Sequence, residues 1–434
     1  MKKKFDRNIF GLLANSAMHN IINIYMNTFL VAYILNVSLG NFFTVAMYYV
    51  ITYATLTVSY IGFSFIAARY NKPKLVALSV IIDCFILVYM ASLKDNVVNY
   101  IYIISFIYNI VKGLYWSSLN SLSNEVIKGK KLQSFNTYSS VVSNITSIVV
   151  PVAFGSIIDS SSLFVIATFL VAVGILQIIS TLFMKSETNP HKLDFKGYYQ
   201  KCYNSTNKKC YKLFFMNYFM YGYRSAISTL ITMLIVLTFA TNTSLGLISS
   251  LISVLVIITL IVTNKMNRKK LSSSYMYLLT IVMLSMLLLI FNISKTTIII
   301  FNICFNVLTS IVDRTNVIKR SGIIRAENHK EYIIEHQAVS EMVLNMGRLT
   351  FYAILVSISF SSEIWVYKLV LGISIVAMLI YGMLTNYLEK EYTKVLIEKE
   401  FKKQHVRGFD ESHLHLPTYS NPNYDSFVIR YMHH

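Results

Sequence analysis

The first apolar segment of the chain carries a polar stripe. Within "NSAMHNIINIYMN", Asn15, His19, Asn23 and Asn27 recur at every fourth residue among Ile, Met and Tyr. A four-residue step advances by roughly 400° around a helix, so all four side chains stay within one broad face. Amides can hydrogen-bond between membrane helices, whereas His19 can also change its charge near neutral pH. The stripe predicts either an interhelical contact or a helix face that meets water.

Two other apolar segments place a cation beside an aromatic ring. In "YNIVKGLYW", Lys112 and Trp116 are four residues apart and therefore share a helix face. In "YFMYGYRSA", Arg224 follows Tyr221 by one helical turn. A cation with an adjacent ring suits an anionic or amphipathic ligand. The alternative for Lys112 is a salt bridge to Asp83, in the preceding apolar segment.

The segment "EHQAVSEMVLNMGRL" is the most polar of the apolar segments. Gln337, Glu341, Asn345 and Arg348 stand at positions i, i+4, i+8 and i+11, which form one continuous stripe. Glu341 and Arg348 are two turns apart, too far for an ideal contact but close enough to bracket a ligand. The alternative is a stripe that only holds helices together.

Together these side chains predict an electropositive site for a substrate with a phosphate, carboxylate or sulfate group. The predicted substrate-binding residues are Asn15, His19, Asn23, Lys112, Trp116, Tyr221, Arg224, Asn345 and Arg348. The predicted proton-coupling residues are Asp83, Asp313 and Glu341. Burial favours a protonated carboxyl and a nearby arginine favours the charged form, so a conformational change could load and release a proton.

The elements that must position these residues are membrane helices. Of the 434 residues, 55% are hydrophobic and only 14% charged, and the mean hydropathy is +0.54. Apolar runs recur from end to end, many of them long enough to cross a hydrocarbon core of about 30 Å. Backbone polar groups must be paired inside lipid, and runs of this length without strict alternation therefore predict helices. The runs cover 8–35, 42–68, 75–93, 97–121, 136–158, 162–184, 212–240, 243–264, 272–292, 296–318, 336–360 and 364–387.

The net charge of +19 is distributed as expected for a membrane protein rather than for a nucleic-acid-binding protein. Alternate connections, counted from the N-terminus, are rich in Lys and Arg, and the others are short and nearly free of them. This pattern predicts that both termini are cytoplasmic, in a multi-pass protein of the cell membrane. The basic connections hold Lys2, Lys3, Lys4 and Arg7, then Arg69, Lys72 and Lys74, then Lys128, Lys130 and Lys131, then the segments 185–212, 265–270 and 319–330.

The longest internal connection, 185–211, is polar and basic and predicts a cytoplasmic linker between two six-helix halves. The halves would cover 1–184 and 212–388, and a cytoplasmic tail would cover 389–434. The fold class is therefore an all-α membrane protein, with twelve transmembrane helices in two six-helix pseudo-repeats.

A short basic loop occurs at the same place in each half, "ARYNKPK" (68–74) and "NKMNRKK" (264–270). The positive-inside rule alone favours such loops, but their matching positions support an internal repeat. The predicted cytoplasmic gate residues are Arg69, Lys72, Lys74, Lys265, Arg268 and Lys270.

The chain resembles the major facilitator superfamily, in a bacterial form of unassigned subfamily. That family has two six-helix halves, cytoplasmic termini, a long central loop and the loop signature G-x3-D-R-x-G-R-R/K. Here Gly62 precedes the loop, Ala68 stands where the family has Asp, and Asn71 stands where it has Gly. In the second loop, Asn264 replaces the Asp. In the family that acid helps to hold the cytoplasmic side closed, so the latch is missing here or rests on other residues.

The resemblance also implies that helices 1, 4, 7 and 10 line a central cavity, so that the stripe of helix 1 would meet water. "VVPVAFGS", with Pro151 and Gly155, resembles a decayed form of the G-P-x-x-G-G motif of exporting members, with Phe154 in place of a Gly. The alternative for this segment is a proline kink and a small residue that pack two helices together.

The resulting hypothesis is a secondary active transporter, proton-coupled, that exports a small anionic or amphipathic solute. The alternatives are a flippase for an anionic lipid or glycolipid, and a transport-dead sensor whose tail binds a partner. A membrane-embedded acyltransferase is a weaker alternative that rests on His405 and Asp410 in "HVRGFD". We expect no catalytic residues, no cofactor, no metal and no nucleic-acid partner, and a monomer whose partners are its substrate and membrane lipids.

Overall fold

The computed structural model describes residues 7–127, 130–186, 192–239, 241–264, 274–326, 330–359 and 364–406. Within these ranges the chain forms twelve long helices, which we label α1 to α12. They are Arg7–Val37, Phe42–Ala67, Lys72–Leu93, Ile101–Val126, Lys130–Ser160, Leu163–Thr181, Lys208–Phe239, Asn242–Asn264, Tyr275–Phe291, Lys295–Ala326, Ile333–Ile358 and Ile364–Val406.

Eleven of these helices contain a stretch that is long and apolar enough to cross a membrane. The twelfth, α9, is apolar but has 17 described residues, about 26 Å at 1.5 Å per residue. The predicted architecture of twelve membrane helices is therefore confirmed. Inside α1, Tyr25–Phe29 form a π-helical turn, a feature that often marks functional sites.

The structure extends two regions that the sequence pattern assigned to loop or tail. A linker helix, Phe195–Asn204, lies within the polar connection, and the Asp194 carboxylate caps it by accepting from the Gly197 amide at 2.8 Å. Helix α12 continues to Val406, past the end of its apolar run. The extension is stable because Leu388, Tyr392, Val395 and Leu396 pack on the start of α7.

We call the side of the bundle where α1 begins and α2 ends the basic side, because it carries the loop of Arg69, Lys72 and Lys74. Within the N-terminal half, α2 packs on α4 and α3 packs on α6. Within the C-terminal half, α7 packs on α11 and α12, and α8 packs on α10. The halves meet along two main pairs of helices, α5 with α8 and α2 with α11.

The α5–α8 contact closes the bundle on the side opposite the basic side. A Cβ atom on Gly155 of α5 would collide with the Asn242 carbonyl, and one on Gly246 of α8 would collide with the Pro151 carbonyl. Small residues thus let the two backbones touch. The segment with Pro151 and Gly155 packs two helices together in this conformation.

Asp159, at the end of α5 in the N-terminal half, caps the start of α8 in the C-terminal half. Its carboxylate accepts from the Asn242 amide at 3.1 Å, the Thr243 amide at 2.8 Å and the Thr243 hydroxyl at 2.6 Å. A carboxylate at a helix N-terminus satisfies unpaired N–H groups and matches the positive end of the helix dipole. The cap therefore stabilises the closed arrangement of α5 and α8.

We predict that Asp159→Ala opens this side. Loss of a helix cap costs about 0.5–2 kcal/mol, which corresponds to an open population about two- to thirtyfold larger. Ser250 of α8 is 6% exposed and faces α5, where its hydroxyl donates to the Ile148 carbonyl. In a background without the four native cysteines, Ser250→Cys should react faster with a membrane-impermeant thiol reagent when Asp159 is Ala.

The matched control is Ser161→Ala, since the hydroxyl of Ser161, which directly follows α5, donates to the Ile157 carbonyl of α5 at 2.6 Å and not to the other half. This control should leave the labelling rate unchanged. Equal rates in the Asp159→Ala and parent proteins would show that the cap does not hold the two halves together.

Candidate functional site

The N-terminal half places a lysine at the middle of α4. The Lys112 ammonium donates to the Asn23 side-chain oxygen of α1 at 2.6 Å and lies 4.6 Å from the centre of the Tyr108 ring. The side chain is buried, at 8% exposure. A neutral amide and an aromatic face stabilise the charge without neutralising it. The hydrogen-bond partner of Lys112 is thus a neutral group.

His19, one turn before Asn23 on α1, lies on the same side of the bundle. Its ring stacks on Tyr115 at 3.9 Å between centroids and meets the edge of Trp116 at 5.0 Å. The side chain is 1% exposed, and neither ring nitrogen has a hydrogen-bond partner among the described residues. A buried polar group normally has a partner, so the hydrogen-bonding capacity of both His19 ring nitrogens is unused within the described part of the chain.

Asp83 of α3 is the acid of this half. It is 1% exposed, interacts electrostatically with Lys112, and its Oδ1 atom has no hydrogen-bond partner among the described residues. The alternative of a direct salt bridge between Asp83 and Lys112 is not what the structure has, since the partner of Lys112 is Asn23.

Asn15 belongs to a contact between helices. Its amide donates to the Gln177 carbonyl at 3.2 Å and to the Ser180 hydroxyl at 3.0 Å, both of α6. Its oxygen accepts from the Tyr115 hydroxyl at 2.8 Å. Asn15 has no exposed surface, and it fixes α1 against α4 and α6 rather than lining open space.

A cavity of about 290 Å³, which we call the polar cavity, lies between α1, α4 and α5. It runs from Asn23 and His19 at the middle of the bundle toward Leu13 and Ser123 near the basic side. Trp116 forms part of its wall. The polar cavity therefore extends from Asn23, the partner of Lys112, toward the basic side.

The C-terminal half places Arg348 at the middle of α11. Its guanidinium donates to the Ser225 hydroxyl at 3.0 Å and to the Asn345 side-chain oxygen at 3.1 Å, and it lies 5.1 Å from the Tyr53 ring. Glu341 attracts it electrostatically. Arg348 therefore has neutral hydrogen-bond partners on two helices and one acid nearby.

Close packing of α7 on α11 brings these groups together. A Cβ atom on Gly222 would collide with the Leu344 carbonyl, and one on Gly347 would collide with the Phe219 carbonyl. The reciprocal glycines let the two backbones approach, which is why Ser225 of α7 can reach Arg348.

Arg224 behaves differently, because it forms an ion pair. Its guanidinium donates to the Asp313 carboxylate of α10 at 2.6 Å, and the other carboxylate oxygen accepts from the Tyr381 hydroxyl of α12 at 3.4 Å. The Tyr221 ring lies 5.2 Å from the guanidinium carbon. These contacts join three helices of the C-terminal half. A predicted anion-binding arginine, Arg224, and a predicted proton-coupling acid, Asp313, are therefore paired with each other.

Lys112 and Arg348 come from opposite halves and lie within electrostatic range of each other, where they repel. An anion between them would remove this repulsion and bind both halves at once. The predicted site residues thus fall into three groups. The first comprises Asn23, His19, Lys112 and Trp116 in the N-terminal half, and the second comprises Arg348 and Asn345 in the C-terminal half. The third comprises Asn15, Arg224 and Tyr221, which are held in other contacts.

A tyrosine stack across the halves was missed by the sequence interpretation. Tyr352 of α11 stacks on Tyr49 at 4.6 Å and on Tyr53 at 5.6 Å, both of α2, and shares a 2.6 Å hydrogen bond with the Thr229 hydroxyl. The four-residue spacing of Tyr49 and Tyr53 was a usable signal. Their aromatic partner on another helix was not visible in the sequence.

The model of the Major Facilitator Superfamily matches residues 9–315, which is more than half of the chain. The chain belongs to this superfamily. It is therefore a membrane transporter of that type. No curated protein sequence matches it significantly.

Solved structures of other superfamily transporters share the fold. A peptide transporter POT in complex with sulfate matches with TM-score 0.66 and 11% identity, over 88% of this chain and 95% of that chain. The nucleoside transporter NupG matches with TM-score 0.61 and 12% identity, over 87% and 98%. A bacterial homologue of the human lysosomal transporter Spinster, inward-facing and unoccupied, matches with TM-score 0.59 and 11% identity, over 90% and 99%. At these identities the likeness shows the fold alone.

The loop predicted to gate this superfamily member holds a buried ion pair. Lys72 pairs with Glu125 of α4, whereas Arg69 and Lys74 are exposed. Across the halves, the Asn124 amide of α4 donates to the Gln337 oxygen of α11. The chain has Ala68 in place of the Asp of the family signature. On the basic side, a hydrogen bond between two neutral amide side chains joins the two halves instead. The remaining predicted gate residues lie outside the described residues: Lys265, Arg268 and Lys270.

Two further predictions concern a metal site and the acyltransferase-like pattern of the tail. Among the described residues, no group of three or more His, Cys, Asp or Glu side chains is placed to hold a metal ion. The pattern "HVRGFD" cannot be placed, since Asp410 and the His405 side chain lie outside the described part of the chain.

We predict that the two arginines differ in their structural importance. Arg224→Met would leave the Asp313 carboxylate unpaired inside the bundle, at a cost of about 3–5 kcal/mol. Arg348→Met would remove a guanidinium whose bonded partners are neutral, and should cost much less. The measurement is the thermal unfolding midpoint of each purified variant in detergent.

The double variant Arg224→Met and Asp313→Asn serves as the control, since it removes both charges. It should recover most of the stability lost in Arg224→Met. A midpoint for Arg224→Met at or above that of Arg348→Met would contradict the assignment.

Proposed function

We propose that this transporter is a proton-coupled secondary carrier that exports a small anionic solute. The observation that carries the proposal is the opposition of Lys112 and Arg348, one from each half, with neutral hydrogen-bond partners. Cations bonded to neutral groups remain able to bind an anion, whereas Arg224 is neutralised by Asp313. A substrate bound to both halves would couple its binding to the movement of one half relative to the other.

The proton would move through acids that lie beside these cations. Asp83 interacts electrostatically with Lys112, and Glu341 interacts electrostatically with Arg348. In each pair, the substrate and the carboxylate compete for the same cation, so anion binding and carboxyl protonation favour each other. Solute and proton would then leave together, and the outward gradient of the solute would drive the export. His19 lies within electrostatic range of Lys112, and its ring nitrogens have no hydrogen-bond partner among the described residues, so it would add a neutral hydrogen-bonding group to the anion site.

The direction and orientation belong to the same proposal. The basic side would face the cytoplasm, since Lys and Arg are concentrated there. The polar cavity approaches that side, so a cytoplasmic substrate could enter toward Lys112. The Pro151–Gly155 segment favours export.

We predict that anion-driven proton flux depends on both cations and on the acids. In proteoliposomes with an internal pH-sensitive dye, a substrate anion should change the internal pH with the parent protein. Lys112→Met and Arg348→Ala should abolish the signal because each removes one half of the anion site. Asp83→Asn and Glu341→Gln should lower net proton flux at least tenfold yet retain exchange of radiolabelled anion.

The control is Lys390→Ala, which removes an exposed cation on α12, a helix that does not line the polar cavity. It should leave the flux unchanged. Intact gradient-driven transport in Glu341→Gln would remove Glu341 from the coupling set. Flux that survives in Arg348→Ala would overturn the two-cation site.

A further inference from the structure

The polar cavity carries hydrogen-bonding groups that the protein itself leaves unused. The Ser16, Ser123, Ser139 and Ser143 hydroxyls line it from three helices, and none forms a side-chain hydrogen bond with another described residue. Elsewhere in the bundle, serine hydroxyls such as those of Ser64 and Ser79 donate to a carbonyl of their own helix. The cavity hydroxyls are therefore available to a ligand.

The other walls of the cavity add amides, an indole and a buried imidazole. Asn20 and Asn120 line the cavity while their amide groups donate to Thr146 and Tyr60, which fixes the orientation of both side chains. The imidazole of His19, 1% exposed, presents two ring nitrogens without partners among the described residues. A buried polar group without a partner is costly, so a ligand that supplies hydrogen bonds would stabilise this wall.

The groups inside the cavity are neutral, apart from the titratable His19, while Lys112 is bonded to Asn23 at the inner end. Hydroxyls, amides and an aromatic wall match a polyhydroxylated group, whose hydroxyls donate and accept and whose C–H face packs on an indole. The volume of about 290 Å³ is close to the lower limit of small-molecule sites, about 300 Å³. One compact polyol unit would occupy it.

We propose that the polar cavity binds a polyhydroxylated group whose anionic substituent reaches Lys112, so that the substrate is a sugar-like anion. This subsite rests on the proposed function, because the anion site supplies its charged end. The same chemistry occurs in a soluble sugar phosphate and in the headgroup of an inositol lipid.

Trp116 offers a direct reporter, since the chain has two tryptophans and the other, Trp365 of α12, is 47% exposed. In Trp365→Phe protein in nanodiscs, Trp116 fluorescence would be titrated with glucose 6-phosphate, inorganic phosphate and glucose. In parallel, nanodiscs with phosphatidylinositol would be compared with nanodiscs containing phosphatidylglycerol. We expect a polyhydroxylated anion to bind at least tenfold tighter than its simple counterpart.

Removal of cavity hydroxyls should abolish this advantage selectively. The double variant Ser139→Ala and Ser143→Ala should weaken glucose 6-phosphate binding about tenfold, since each lost hydrogen bond costs about two- to tenfold, and leave phosphate binding unchanged. Ser117→Ala is the control, because the Ser117 hydroxyl donates to the Leu114 carbonyl. Lys112→Met should weaken both anions.

Each outcome separates the subsite from the anion site. A preference confined to phosphatidylinositol supports the subsite and assigns the source to lipid. Equal binding of polyhydroxylated and simple anions overturns the subsite while the proposed function stands. Binding of glucose that depends on Ser139 and Ser143, with no binding of any anion, supports the polyol site and overturns the proposed function. No change of Trp116 fluorescence with any probe overturns the subsite, whereas the proposed function is decided separately by the proteoliposome flux measurement.

Discussion

A lysine or arginine at the centre of a membrane helix costs about 2.5–3.5 kcal/mol to insert, and this chain carries one near the middle of α4, α7 and α11. The bundle compensates the three cations in different ways. Arg224 is paired with Asp313, whereas Lys112 and Arg348 are bonded to amides and a hydroxyl. The difference separates an ion pair from two cations whose hydrogen-bond partners are neutral.

The helix packing places these hydrogen-bonding partners next to the cations. Asn23 reaches Lys112 because Asn15, two turns earlier on α1, is fixed to α6. Ser225 reaches Arg348 because reciprocal glycines bring α7 onto α11. Small residues and buried amides thus act as positioning devices. They set the helix rotation that a membrane leaves otherwise undetermined, since lipid solvates every apolar face equally well.

The sequence predicts the helices well and the contacts between them poorly, and the reason is physical. Bilayer thickness and the need to pair every backbone group leave few alternatives for long apolar runs. Side-chain partners depend instead on helix rotation, which hydropathy does not report. Asn15 and Asn23 are equivalent in the sequence stripe, yet one holds helices together and the other binds a cation. The Arg224–Asp313 pair and the continuation of α12 to Val406 likewise require tertiary contacts.

The arrangement of charges also bears on how a transporter of this kind can avoid trapping its substrate. A cation with an acid in direct contact would have to give up that acid for each substrate molecule, at the full cost of breaking a buried pair. In the proposed site, Lys112 and Arg348 would instead give up bonds to neutral groups, which are weaker than charge-assisted pairs with a carboxylate. Mutual repulsion further weakens the empty site relative to the occupied one. In the proposed site an anion would gain most when the two halves are close together, so its binding free energy would depend on the position of one half relative to the other.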